Sequence, residues 1–185
     1  QLRPSRDTGD VASPKRARVS QSRGGDASAA APEADAHREA PLSMQAKYDA
    51  MVQSKTREYG VRVRKWRTAM SGIAWQVEYR DGTVSRLIEA PRPKGPMSAA
   101  VFLHEIGHHA IGFNVYKPRC LEEYHAWMFA IREMESHGLN VTESVRKRMH
   151  NSLRYAVEKA SRRGLRTLPV ELVPYLRPWS ESSRT

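Results

Sequence analysis

The most specific chemical signal in the chain is the run His104-Glu105-Ile106-Gly107-His108, which has the form H-E-x-x-H. On an α-helix, positions i and i+4 lie one turn apart on the same face, so both imidazoles can reach one ion. Glu105 is rotated about 100° from His104. It therefore stands beside such an ion without ligating it, close to a bound water, where a general base belongs. The run follows the apolar stretch Ala99-Ala100-Val101-Phe102-Leu103. Two imidazoles and a carboxylate in an apolar helix are costly to bury without a partner, and a metal ion supplies one. Zinc suits this spacing, and the chemistry it implies is hydrolysis of peptide bonds in a protein substrate, with Glu105 as the base. His109 faces elsewhere on the helix and reads as a surface residue or one that flanks the site.

A catalytic zinc needs a third protein ligand and an open position. The longer pattern H-E-x-x-H-x-x-G-x-x-H fails: Gly112 comes one place late, and Asn114 stands where the third His would be. The next candidates are Glu122, Glu123 and His125, on the helix that follows. Helical rotation separates Glu122 from Glu123 by about 100° and Glu123 from His125 by about 200°, so at most one of them points squarely at the ion. Glu123 shares its face with Ala126, Trp127 and Ala130, and a carboxylate on an apolar face needs a reason to be there. The oxyanion stabiliser has no motif; Tyr124, His150 and Tyr155 are candidates because the reaction needs a neutral or cationic donor.

The pair HEIGHH and LEEYHAWMFA resembles the ImmA/IrrE-type zinc peptidases, in which H-E-x-x-H is followed by E-x-E-A-x-x-F-A. Glu123, Ala126, Phe129 and Ala130 match the second motif, and His125 occupies the place of its second Glu. Similar pairs occur in zincin domains of anti-restriction and polyvalent proteins of plasmids and phages. The resemblance spans about residues 97–131. It implies a zincin-like fold and a ligand set of His104, His108 and Glu123. Where related enzymes often carry Asp four residues after the ligand, this chain has Trp127, so the resemblance names no partner for a zinc histidine. Two alternatives stay open. One is a SprT-like, DNA-associated protease with His125 as third ligand. The other is a non-catalytic nucleic-acid-binding or regulatory module with a structural zinc.

These residues need elements to hold them. Met44, Tyr48, Met51 and Val52 recur at helical spacing over 44–59, and Gly60 is a stop. Residues 61–68 and 74–80 alternate like strands, and Asp81-Gly82 turns the chain into a third run, 83–89. The linker 91–96 leads to a helix over 99–111 with Ser98 as cap and Gly112 as stop. A second helix over 121–136 and a third from Thr142 to about Ala160 follow. The proline-containing end, 165–185, reads as an irregular strap. The pattern predicts an α+β fold: a small antiparallel sheet, then a helical half that carries the H-E-x-x-H helix. In zincins the sheet edge beside the cleft holds the substrate by strand addition, and residues 83–89 are the candidate edge.

The chain has 185 residues and a formal charge of +11. Residues 1–43 hold only Leu2, Val11, Val19 and Leu42 as large apolar side chains. Such a segment buries too little to offset its ordering entropy, so it reads as a disordered tail before a domain at 44–185. The tail carries seven Lys/Arg against six Asp/Glu, leaving about +10 in the domain. Much of that lies in 142–166, a basic helix that either tracks nucleic-acid phosphates or forms a solvated face. The lone Cys120 excludes an internal disulfide and fits a reducing, cytoplasmic setting. No apolar run reaches membrane-spanning length.

Overall fold

The computed structural model describes residues 43–182. The expected tail lies outside them, except for Ser43, whose hydroxyl accepts a hydrogen bond from the Ala46 amide and caps the first helix, α1 (Met44–Glu58). Gly60, at φ 60°, ends α1 and turns the chain into β1 (Val61–Arg67). β2 (Ile73–Glu78) and β3 (Val84–Pro91) form a hairpin around Asp81-Gly82, as the alternation and turn residues predict. The Asp81 carboxylate accepts from both the amide and the hydroxyl of Thr83, which fixes the turn.

The sheet is mixed, which corrects the expectation of an antiparallel one. Its order is β1-β3-β2; β3 runs antiparallel to β2 but parallel to β1. Residues 68–72 (TAMSG) do not close a hairpin between β1 and β2. They carry the chain past a vacant position that β3 later fills. β3 is thus the central strand, hydrogen-bonded on both sides, and cannot accept a substrate strand. The expectation that residues 83–89 form the substrate edge is overturned; among the described residues the edge strands are β1 and β2.

The helical half follows as expected, with shifted bounds. α2 (Pro96–Ile111) starts three residues before its predicted first residue, and Pro96 occupies its first position. Ser98 lies inside its first turn, where its hydroxyl accepts from the amides of Lys94 and Gly95 and donates to the Gly95 carbonyl. α3 (Arg119–Ser136) and α4 (Glu143–Arg162) complete the set, with Thr142 capping α4. The strap contains a 3₁₀ segment, Val170–Leu176, and a short helix, α5 (Trp179–Ser182). α2 is buried almost throughout, against β3 on one side and α3 on the other. Among the described residues no helix is long and apolar enough to cross a membrane.

Candidate metal centre

Two glycines and one histidine position α2. A Cβ on Gly107 would lie 2.8 Å from the Ala126 carbonyl oxygen and 3.2 Å from the Ala126 Cα, so only glycine lets α2 and α3 approach this closely. The Nε2 of His109 lies 3.1 Å from the Leu87 carbonyl of β3. A carbonyl only accepts, so this nitrogen carries the proton and ties the helix to the sheet. His109 is buried and holds the scaffold; the expectation of a surface position is corrected. Gly72, at the end of the β1–β2 connection, packs on the Glu105 side chain. A Cβ there would fall 2.6 Å from Glu105 Oε1. The unexpected sheet order thus sets the wall behind the candidate base.

Across the α2–α3 contact, the His104 and His108 rings converge on Glu123. Its Oε2 lies 3.4 Å from His104 Nε2 and 3.7 Å from His108 Nε2, and the three ligating atoms all lie within 4.8 Å of one another. Two atoms bound to one tetrahedral zinc at about 2.0 Å stand roughly 3.3 Å apart, close to the two shorter separations. Trp127 stacks on His104 with centroids 4.5 Å apart and fixes that ring. His125 is not part of the cluster. Its ring stacks on Tyr116, with centroids 3.8 Å apart.

Glu122 is buried, yet it faces the far side of His108. Its Oε1 lies 3.4 Å from His108 Nδ1, and among the described residues neither atom has a hydrogen-bond partner of good geometry. Its Oε2 accepts the Asn114 amide at 2.9 Å, and Asn114 adopts a left-handed backbone, φ 62°, to present it. A carboxylate here favours the tautomer with the proton on Nδ1, leaving the Nε2 lone pair aimed at Glu123. Glu122 is thus the carboxylate that stands nearest His108 Nδ1, a candidate partner that the sequence does not name. Its signal was present in the Glu122-Glu123 pair, but the direction of each carboxylate was not.

The protonation states suit cation binding. Burial pushes His108 down to about 3, and the neighbouring His104 adds to the effect, so His108 is neutral at pH 7. Burial works against ionisation of Glu123. A hydrogen bond from His104, then the proximity of the His108 ring and the Arg119 guanidinium, outweigh it and hold the carboxyl at about 2. A neutral imidazole lone pair and a carboxylate therefore meet at one point, an arrangement of acceptors that calls for a cation between them. His104, His108 and Glu123 offer donors of the type and number that a divalent cation such as zinc takes. Burial, with help from Glu123, raises Glu105 to about 7, where a group gives and takes protons readily near neutral pH.

The site opens into a cleft of about 890 Å³ that His104, Glu105 and Glu123 share with Gly72, Arg119 and the α4 helix. Of the expected oxyanion candidates, Tyr155 lines this cleft. Tyr124 packs against His125 and Tyr175 instead. His150 is buried, its Nε2 2.8 Å from the Arg177 carbonyl. Comparison of the chain with models of protein families, with curated proteins and with solved structures finds no match.

Proposed function

We propose that the chain is a zinc-dependent metallopeptidase with a zincin-like catalytic domain, of the kind its sequence resembles. The observation that supports this most is the convergence of His104 Nε2, His108 Nε2 and Glu123 Oε2, with His104 and Glu123 lining a cleft that Glu105 also lines. Three protein donors are the number of a catalytic site; a structural zinc is normally closed by four. When bound, zinc supplies Lewis acidity to a water and to the substrate carbonyl.

The residues of the chain do the rest. His104, His108 and Glu123 hold the ion, Trp127 and Glu122 orient the two rings, and Gly72 keeps Glu105 at the cleft. Glu105 takes a proton from the attacking water as its oxygen bonds to the amide carbon. It then gives the proton to the departing nitrogen as the C–N bond breaks. Tyr155 is the oxyanion donor of this reading. The β2 edge starts directly after Gly72 and is the place where a substrate strand would add. A reducing, cytoplasmic setting belongs to the same proposal and rests on the single, buried Cys120.

The test is zinc content of protein purified without chelator, beside hydrolysis of a denatured protein. About one zinc per chain and chelator-sensitive cleavage, restored by zinc, are expected. Protein that holds no transition metal after incubation with zinc would end this reading.

A further inference from the structure

The cleft has two chemically opposite sides. Its floor carries the acids Glu105 and Glu123 with His104, while one wall is a stripe of α4. Arg148, Ser152, Tyr155 and Lys159 on α4, and Arg163 at its C-terminal cap, follow one another at helical spacing along that wall. The stripe of α4 beside it, about 100° round the helix and formed by Val145, Met149, Leu153 and Val157, is buried in the core. The orientation of α4 is thus set by packing, and the basic stripe faces the cleft as a result. Among the described residues none of these three cations is paired with a carboxylate. Arg148 donates to the Met70 carbonyl at 3.0 Å, and the Lys159 ammonium sits 6.0 Å from the centre of the Tyr155 ring. By contrast Arg146 and Arg154, which do not line the cleft, pair with Glu135 and Glu158.

We infer that the basic α4 wall selects polypeptide segments carrying Asp or Glu beside the bond placed at the His104–Glu105–Glu123 floor. This rests on the peptidase reading and adds its substrate class. Unpaired cations in a partly enclosed cleft attract opposite charge more strongly than the same groups on an open surface. Because wall and floor belong to one cavity, a segment whose backbone reaches the floor lays neighbouring side chains along the wall. Single-stranded nucleic acid fits less well. Such strands bind through aromatic faces on which bases stack. Of the two aromatic residues in the cleft, Trp127 is stacked on His104, which leaves Tyr155 alone, 59% exposed, to meet a base, too few faces for successive stacking.

The experiment uses the full chain loaded with zinc and three fluorescein-labelled probes: a Glu/Ala peptide, its Lys/Ala counterpart and oligothymidine. Anisotropy should show that the Glu/Ala peptide binds, that the Lys/Ala peptide does not, and that affinity falls as salt rises. Lys159→Gln with Arg163→Gln should weaken acidic-peptide binding by roughly tenfold or more, with the circular dichroism spectrum unchanged. Arg148→Gln, tested separately because of its bond to Met70, should weaken it as well. Equal binding of both peptides, or no effect of the charge variants, overturns the inference. So does oligothymidine that binds more tightly and displaces the acidic peptide. Cleavage is scored apart from binding, on a denatured protein. Acidic peptide bound by a protein that cleaves nothing would sink the peptidase reading alone. Cleavage with no preference for acidic segments would sink this inference alone.

Discussion

Glu105 and Glu123 have the same side chain but opposite protonation tendencies, and their surroundings explain why. Glu105 is enclosed by α2, Gly72 and the cleft floor, and burial holds it at about 7. Glu123 faces two imidazoles and Arg119 and stays ionised. Glu105→Gln preserves shape and removes the base. It should retain zinc and lose roughly 10²–10⁴-fold in hydrolysis rate, the usual worth of a general base. Wild-type turnover by that variant would remove Glu105 from the mechanism. Glu123→Ala should lose zinc on dialysis, whereas His125→Ala should keep it, because His125 stacks on Tyr116 away from the cluster. The reverse pattern, in folded variants, would favour a three-histidine site. Glu122→Gln leaves all three donors in place but puts a neutral, weaker acceptor where a charged one faced His108 Nδ1. Zinc affinity should fall by about 10–100-fold, measured by competition with a chelating dye. An unchanged affinity would make Glu122 a group that serves only the Asn114 loop.

At the scale of elements, the site depends on how closely α2 and α3 approach. Gly107→Ala gains about 1 kcal/mol of helix propensity. It also forces a methyl onto the backbone of Ala126, and overpacking of that kind costs roughly 1–3 kcal/mol. Since the contact is with backbone rather than a flexible side chain, the second effect should win. The expected result is a lower denaturation midpoint together with weaker zinc binding, because separating the helices moves Glu123 from the histidines. A stable variant with full zinc affinity would show that the helices tolerate the wider spacing. On the far side of α3, Lys55 of α1 is buried between Glu58 and Glu133, at 2.7 and 2.6 Å. Glu133→Ala leaves that ammonium with one partner. A loss of about 1–3 kcal/mol is expected in urea titration, less than for a fully buried pair because Glu133 is itself partly exposed.

For the whole molecule, the metal should act as part of the fold. Its candidate ligands join α2 to α3, and Glu105 reaches the β1–β2 connection through Gly72. An ion that binds only the assembled site stabilises by mass action, about 2.7 kcal/mol when free zinc is a hundred times the dissociation constant. Melting temperature should therefore rise with zinc for the wild type and not for Glu123→Ala. An equal rise in both would place the bound zinc elsewhere.

The local pattern of the chain is enough to read the H-E-x-x-H helix, the Asp81-Gly82 hairpin and the helix stops at Gly60 and Gly112. Each depends on periodicity or backbone freedom within a few residues. The choice among Glu122, Glu123 and His125 lay beyond it in part. Rotation on one helix says that they point apart, but not which of them meets α2, and that was decided by the Gly107–Ala126 contact. Strand alternation likewise marks β1, β2 and β3 without saying which neighbour each pairs with, so the parallel β1–β3 ladder was invisible. With it went the place of Gly72 behind Glu105 and the choice of edge strand. The bond of His109 to Leu87 and the turn of the α4 stripe toward the cleft were hidden for the same reason. A side chain's local spacing selects its face, while the partner of that face comes from a segment tens of residues away and exists only once the chain has packed.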